Sequence, residues 1–176
     1  MTIAPPRTHL RILGGLATLA LVALPATGSA QAAATTSAAC TGQLTLTIAP
    51  GFSVTPSSGT LTSHGQTGTI TCTGSIDGQR VTGPGTVGLE ESYARGDCLA
   101  HVGTGTVTAT IPTTGGAKHL VGAATSRRTG LALSAEVRFP GARFSGVGLA
   151  VPLQGSCLLT PMRQALITVT GTLIGT

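Results

Sequence analysis

Leu131-Ala132-Leu133-Ser134-Ala135-Glu136-Val137-Arg138-Phe139, followed at once by Pro140-Gly141, is the stretch that settles the fold class. Its odd positions are apolar, and its even positions are small, polar or charged. A period of two places Leu131, Leu133, Ala135, Val137 and Phe139 on one face of an extended chain. A helix would scatter them around its circumference. Pro-Gly then ends the run, because neither residue continues a strand easily.

The same alternation recurs in both directions. Leu44, Leu46 and Ile48 alternate with Gln43, Thr45 and Thr47, and Gly68, Ile70 and Cys72 with threonines 67, 69, 71 and 73. Val107, Ala109 and Ile111 alternate with Thr106, Thr108 and Thr110, and Ala165, Ile167 and Val169 with Leu166, Thr168 and Thr170. Threonine suits the wet face because its branched Cβ favours extended backbone. Weaker strands are predicted at 86–93, 118–125, 143–151 and 156–160. Turn signals separate the runs at Pro50-Gly51, Pro56-Ser57-Ser58-Gly59, Asp77-Gly78, Gly83-Pro84-Gly85 and Gly115-Gly116. Asp77-Gly78 has the residues of a type I′ hairpin. The pattern predicts an all-β chain, an antiparallel sandwich or small barrel of about 8–10 short strands.

The N-terminus follows a different logic. Arg7, His9 and Arg11 precede an apolar run from Ile12 to Leu24, then Pro25 and small residues, the three parts of a Sec export signal. The run's 13 positions fall short of the roughly 20 that a spanning helix needs. Cleavage after Ala32 makes Ala33 the new terminus, with Gln31 the alternative. Cys40 lies too far beyond Leu24 for lipidation. The expected organisation is a signal peptide over 1–32, a flexible tether over 33–39, and one β domain over 40–176, secreted, with no transmembrane segment left after processing. Arginine in place of lysine, with much Ala, Gly and Thr, resembles the usage of a GC-rich bacterium.

All four cysteines lie in the exported part, and an even number in an oxidising compartment implies disulfides. Zinc sites need close pairs such as C-x₂-C, whereas the nearest cysteines, Cys72 and Cys98, are 26 positions apart. Cys72 shares a face with Gly68 and Ile70, and Cys40 just precedes the first clear strand, so Cys40–Cys72 is the expected bridge. Cys98 and Cys157 both follow a glycine at the edge of weaker strands and both lead into clear ones, so Cys98–Cys157 is the other.

Cleavage leaves eight Lys+Arg against five Asp+Glu, a net charge of +3 on 144 residues. The basic residues are scattered and carry no aromatic platform, so nucleic acid is not an expected partner. Glu90 and Glu91 are adjacent, so a strand sends them to opposite faces, one of them inward beside Leu89 or Tyr93. Arg95-Gly96-Asp97 spells the tripeptide read by integrin receptors and reads equally as a turn permitted by Gly96. Gly83-Pro84-Gly85-Thr86-Val87-Gly88 matches G-x-G-x-x-G, but β-alternation follows it where a dinucleotide fold needs a helix. His64, His101 and His119 show no local ligand or catalytic spacing and are expected to be exposed. Arg127-Arg128 is expected at a solvated loop tip. No catalytic, metal-binding or cofactor-binding residue is assigned, and no cofactor is expected.

Val54-Thr55-Pro56-Ser57-Ser58-Gly59 is similar to the opening of the neocarzinostatin-type chromophore carriers. The resemblance covers six residues and implies an immunoglobulin-like sandwich. The cysteines depart from it, since those carriers close short local loops. No residue is carried over.

Three functions follow as expectations. The first is a non-enzymatic domain acting by surface contact with a protein, the cell wall or itself. The second is a carrier of a small apolar ligand between the sheets, in space left by the scarcity of large core side chains. The third is an enzyme built around Glu90 or Glu91, Arg95 and His101. A dry, filled interior favours surface contact, an apolar pocket of several hundred Å³ favours the carrier, and His, Glu and Arg gathered in one cleft favour the enzyme.

Overall fold

The computed structural model describes residues 35–176, and the expected export segment lies outside them. Ten strands run in order: β1 Ser37–Phe52, β2 Ser57–Thr62, β3 Gly68–Ile76, β4 Gln79–Arg80, β5 Gly85–Gly96, β6 Ala100–Thr113, β7 Gly116–Thr129, β8 Ala132–Phe139, β9 Ala142–Gln154 and β10 Met162–Gly175.

Sequential antiparallel pairing runs from β5 through to β10, and β10 returns to pair with β1 from Ser37↔Ile174 to Thr47↔Gln164. Between β1 and β5 lie both β2 and β3, which follow one another along the same two neighbours. They act as one interrupted stave. The sheet therefore closes into a barrel of eight staves in chain order, with β4 a short flap on β3. Closure removes the exposed edges that a sandwich must protect. It also departs from the immunoglobulin-like sandwich suggested by Val54–Gly59, whose Ser57–Gly59 opens β2.

Several strands are longer than expected. β1 has 16 residues, and β6, β7 and β10 have 14 each. Glycines that look like punctuation, such as Gly103 and Gly122, are paired within strands. Residues 156–160 are not a strand but part of the β9–β10 loop. There Cys157 N donates to Thr160 O at 2.9 Å and Ser156 N to Thr160 Oγ1 at 3.3 Å, so these donors are spent inside the loop. Ser37–Ala39, placed in the tether by sequence, belong to β1 and pair with both β10 and β3. Asp77-Gly78 has φ of 50° and 73°, the two positive values that a type I′ turn needs.

The inward residues are those the alternation selects. Leu46, Phe52, Tyr93, Met162 and Ile167 pack one end of the barrel. Ala38, Ile76, Ile111 and Leu173 pack the other. Both expected disulfides are present. Cys40–Cys72 joins directly paired residues of β1 and β3, with Cα atoms 4.0 Å apart. Cys98–Cys157 ties the β5–β6 loop to the β9–β10 loop, with Cα atoms 5.7 Å apart.

Candidate functional site: a polar cluster at the wall of an apolar lumen

Small residues at inward positions, among them Gly42, Ala109 and Ala135, leave the barrel axis unfilled. A cavity of about 120 Å³ results. Its wall includes Leu44, Ile70, Leu89, Val107, Leu120 and Phe144. These side chains are only half-buried although they point inward. An eight-stranded barrel is just wide enough to be filled by side chains or to hold one small ligand.

Toward the Phe52 end, three adjacent strands send polar groups into this wall. Glu91 from β5, His101 from β6 and Ser126 from β7 line it, and Arg128 of β7 backs His101 from outside the cavity, all four buried. The register explains the grouping. His101 lies directly across from Arg128, and Gly103 directly across from Ser126. A Cβ on Gly103 would fall within 1.7 Å of Glu91 Oε1, so the missing side chain is what lets the carboxylate lie over β6 toward β7.

Ser126 Oγ donates to Glu91 Oε1 at 2.7 Å. His101 Nε2 lies 3.5 Å from the same oxygen and 3.4 Å from Ser126 Oγ. Arg128 Nε donates to His101 Nδ1 at 3.2 Å. Since Nδ1 accepts there, the imidazole's proton sits on Nε2, facing Glu91. The Phe52 ring stacks on His101 at 5.0 Å between centroids, and the Arg128 guanidinium lies 4.9 Å from the Phe52 centroid. Arg128 also donates to the carbonyls of Asp97, Cys98 and Gly130. Burial lowers the Arg128 pKa from its ordinary value, and the Asp97 carboxylate opposes that shift. The cluster is saturated except at one atom: Glu91 Oε2 is buried without a hydrogen-bond partner.

Several expectations are corrected here. His101 is buried, not exposed. Arg128 is not at a solvated tip, because β7 runs through it and turns it inward while Arg127 faces solvent. Arg95 takes no part in the cluster; it is exposed, with φ 56°. Glu90 and Glu91 do face opposite ways, with Glu91 inside. Gly96 packs onto Tyr93 and Phe52, where a Cβ would meet Tyr93 Cδ2 at 2.6 Å, so Arg95-Gly96-Asp97 is drawn onto the barrel end. His64 occupies an exposed turn, and His119 lies on the outer face with Nδ1 3.1 Å from Thr110 Oγ1. A signal for Ser126 and Arg128 was available, since both share parity with Leu120, Gly122 and Ala124.

Comparison with known proteins finds no matching family model, curated protein or solved structure.

Asp97 supplies a pH test. The backbone N–H groups of Ala100 and Leu99 donate to its carboxylate at 2.7 and 2.8 Å and hold its pKa below the ordinary 3.8. A carboxyl depressed in the folded state stabilises the fold above its unfolded pKa, and that contribution fades as pH falls through the folded value. Asp97→Asn is expected to flatten the stability loss below about pH 4, read by urea unfolding at pH 2–6. Parallel curves for variant and parent would refute this.

Proposed function

We propose that the barrel holds one small, largely apolar molecule in its lumen, with a single hydrogen-bond donor directed to Glu91. The unfilled apolar lumen carries this reading. A cavity of about 120 Å³ is smaller than the several hundred Å³ expected of a carrier but close to the roughly 150 Å³ that accommodates benzene in an engineered protein core, so the ligand class is about one ring in size. The orphan Oε2 supports the donor, because a buried carboxylate oxygen without a partner is costly and a ligand hydroxyl would satisfy it. A neutral donor fits better than an ammonium. The rest of the lumen wall is almost wholly apolar, where burying a cation costs far more than burying a hydroxyl.

Glu91, His101 and Ser126 together also invite an acid–base reading. The Nε2 proton of His101 faces the Glu91–Ser126 pair, however, so the imidazole is not placed to take a proton from Ser126. That arrangement favours binding over nucleophilic chemistry. The two disulfides accord with an extracellular carrier. The exported product is expected to begin at Ala33, which intact mass decides.

The test is calorimetric or NMR titration with phenol and benzene. The parent is expected to bind both, with phenol favoured about tenfold, since a hydrogen bond to a charged group contributes about 1.5–3 kcal/mol. Ala135→Leu, which fills the lumen, should abolish both. If neither compound binds the parent, or if Ala135→Leu binds equally well, the carrier reading fails.

A further inference from the structure

The barrel end bearing the Cys98–Cys157 bridge also bears a crown of exposed large apolar side chains. Leu99 follows Cys98, and Leu158 and Leu159 follow Cys157, so the bridge brings the two leucine-bearing loops together. Gly130 N donates to Leu99 O at 2.6 Å, which places Leu131 beside them. Cys98 N donates to Ser53 O at 3.0 Å, which brings Val54 to the same end. The exposures are 73% for Leu99, 81% for Leu158, 91% for Leu159, 54% for Leu131 and 62% for Val54. A single exposed leucine needs no explanation, but five large apolar residues gathered at one pole do.

Around this crown stand Arg95, Arg127 and Arg163, all exposed. Among the described residues none of the three is in an ion pair. The acid at this pole, Asp97, is occupied by the backbone N–H groups of Leu99 and Ala100.

We infer that this pole docks on an anionic lipid bilayer, the leucines entering the headgroup–acyl boundary and the guanidiniums meeting lipid phosphates. The apolar side chains project from four separate loops rather than from one continuous element. A fluid interface accepts such a shape, and apolar burial combined with basic residues is the pattern of interfacial binding. The guanidiniums complement an anionic surface, where each nearby Lys or Arg adds to the attraction. Docking at this pole does not depend on what occupies the lumen.

The experiment uses the secreted, disulfide-bonded product with vesicles of phosphatidylcholine and phosphatidylglycerol at 7:3, and with phosphatidylcholine alone. Co-sedimentation with the mixed vesicles is expected, at least fivefold stronger than with the neutral ones and weakened by 0.5 M salt. Leu158→Glu/Leu159→Glu should cut partitioning at least tenfold with an unchanged melting point, since both side chains lie outside the core. Arg127→Gln/Arg163→Gln should remove the preference for anionic vesicles. Absence of co-sedimentation, equal binding to neutral vesicles, or full binding by the leucine variant overturns the proposal. So does a concentration-dependent dimer that the leucine variant loses without any vesicle binding, which would assign the crown to a second copy of the chain.

Discussion

Reduction of both disulfides is expected to lower the unfolding free energy by about 4 kcal/mol per bridge. The bridges close loops with sequence separations of 32 and 59, and neither loop contains the other. In the loop-entropy description each releases that much constraint on the unfolded chain. Together they approach the whole net stability of a typical small domain, about 5–15 kcal/mol. Few large side chains lie inside to compensate, and the lumen itself is unfilled. Guanidinium unfolding with and without reductant measures the effect, and coincident curves would refute it. The Cys98→Ser/Cys157→Ser pair has a further expected consequence. Arg128 donates to the carbonyls of Asp97 and Cys98, so releasing that loop should also loosen the polar cluster.

Arg128→Ala is expected to cost about 3 kcal/mol or more, whereas Arg127→Ala should change stability by less than about 0.5 kcal/mol. The two residues are neighbours of the same type, and only their faces differ. Truncating Arg128 removes the donor from His101 Nδ1 and from three loop carbonyls, and leaves these acceptors at the barrel end without their partner. Arg127 loses little beyond contact with water, since its side chain stands outside the barrel. Urea midpoints of the two variants decide the matter. Equal effects would show that the assignment of faces along β7 is wrong.

The contrast between Arg127 and Arg128 also shows where legibility stopped. The period of two along Leu131–Phe139, and in the four runs that match it, was sufficient for an antiparallel β chain with known inward faces. Leu46, Ile48, Ala109, Val137 and Ile167 are buried as alternation requires. The disulfide pairing was legible as well, because Cys72 shares the parity of Ile70 and because Cys98 and Cys157 occupy comparable edge positions. Asp77-Gly78 could be read alone, since turn type depends on the φ preferences of two residues. Each of these is a local property that propagates along one strand at a time.

What lies across strands was not local. Whether the sheet closes depends on β10 reaching β1, through pairs 117 to 137 positions apart such as Thr47↔Gln164 and Ser37↔Ile174, and nothing at either end announces it. Strand lengths were misjudged because a glycine inside a strand and a glycine in a turn look alike until a neighbour's side chain is placed over it, as Glu91 is over Gly103. The polar cluster draws on positions 91, 101, 126 and 128, which share no motif and meet only because β5, β6 and β7 are adjacent with His101 opposite Arg128. The order of residues along the chain determined that it is built from alternating strands, and its composition that few large side chains fill their core. The tertiary register alone determined that those strands enclose a lumen, and that a carboxylate, an imidazole and a hydroxyl share its wall with a guanidinium behind them, because contact between residues on different strands is set by pairing rather than by spacing.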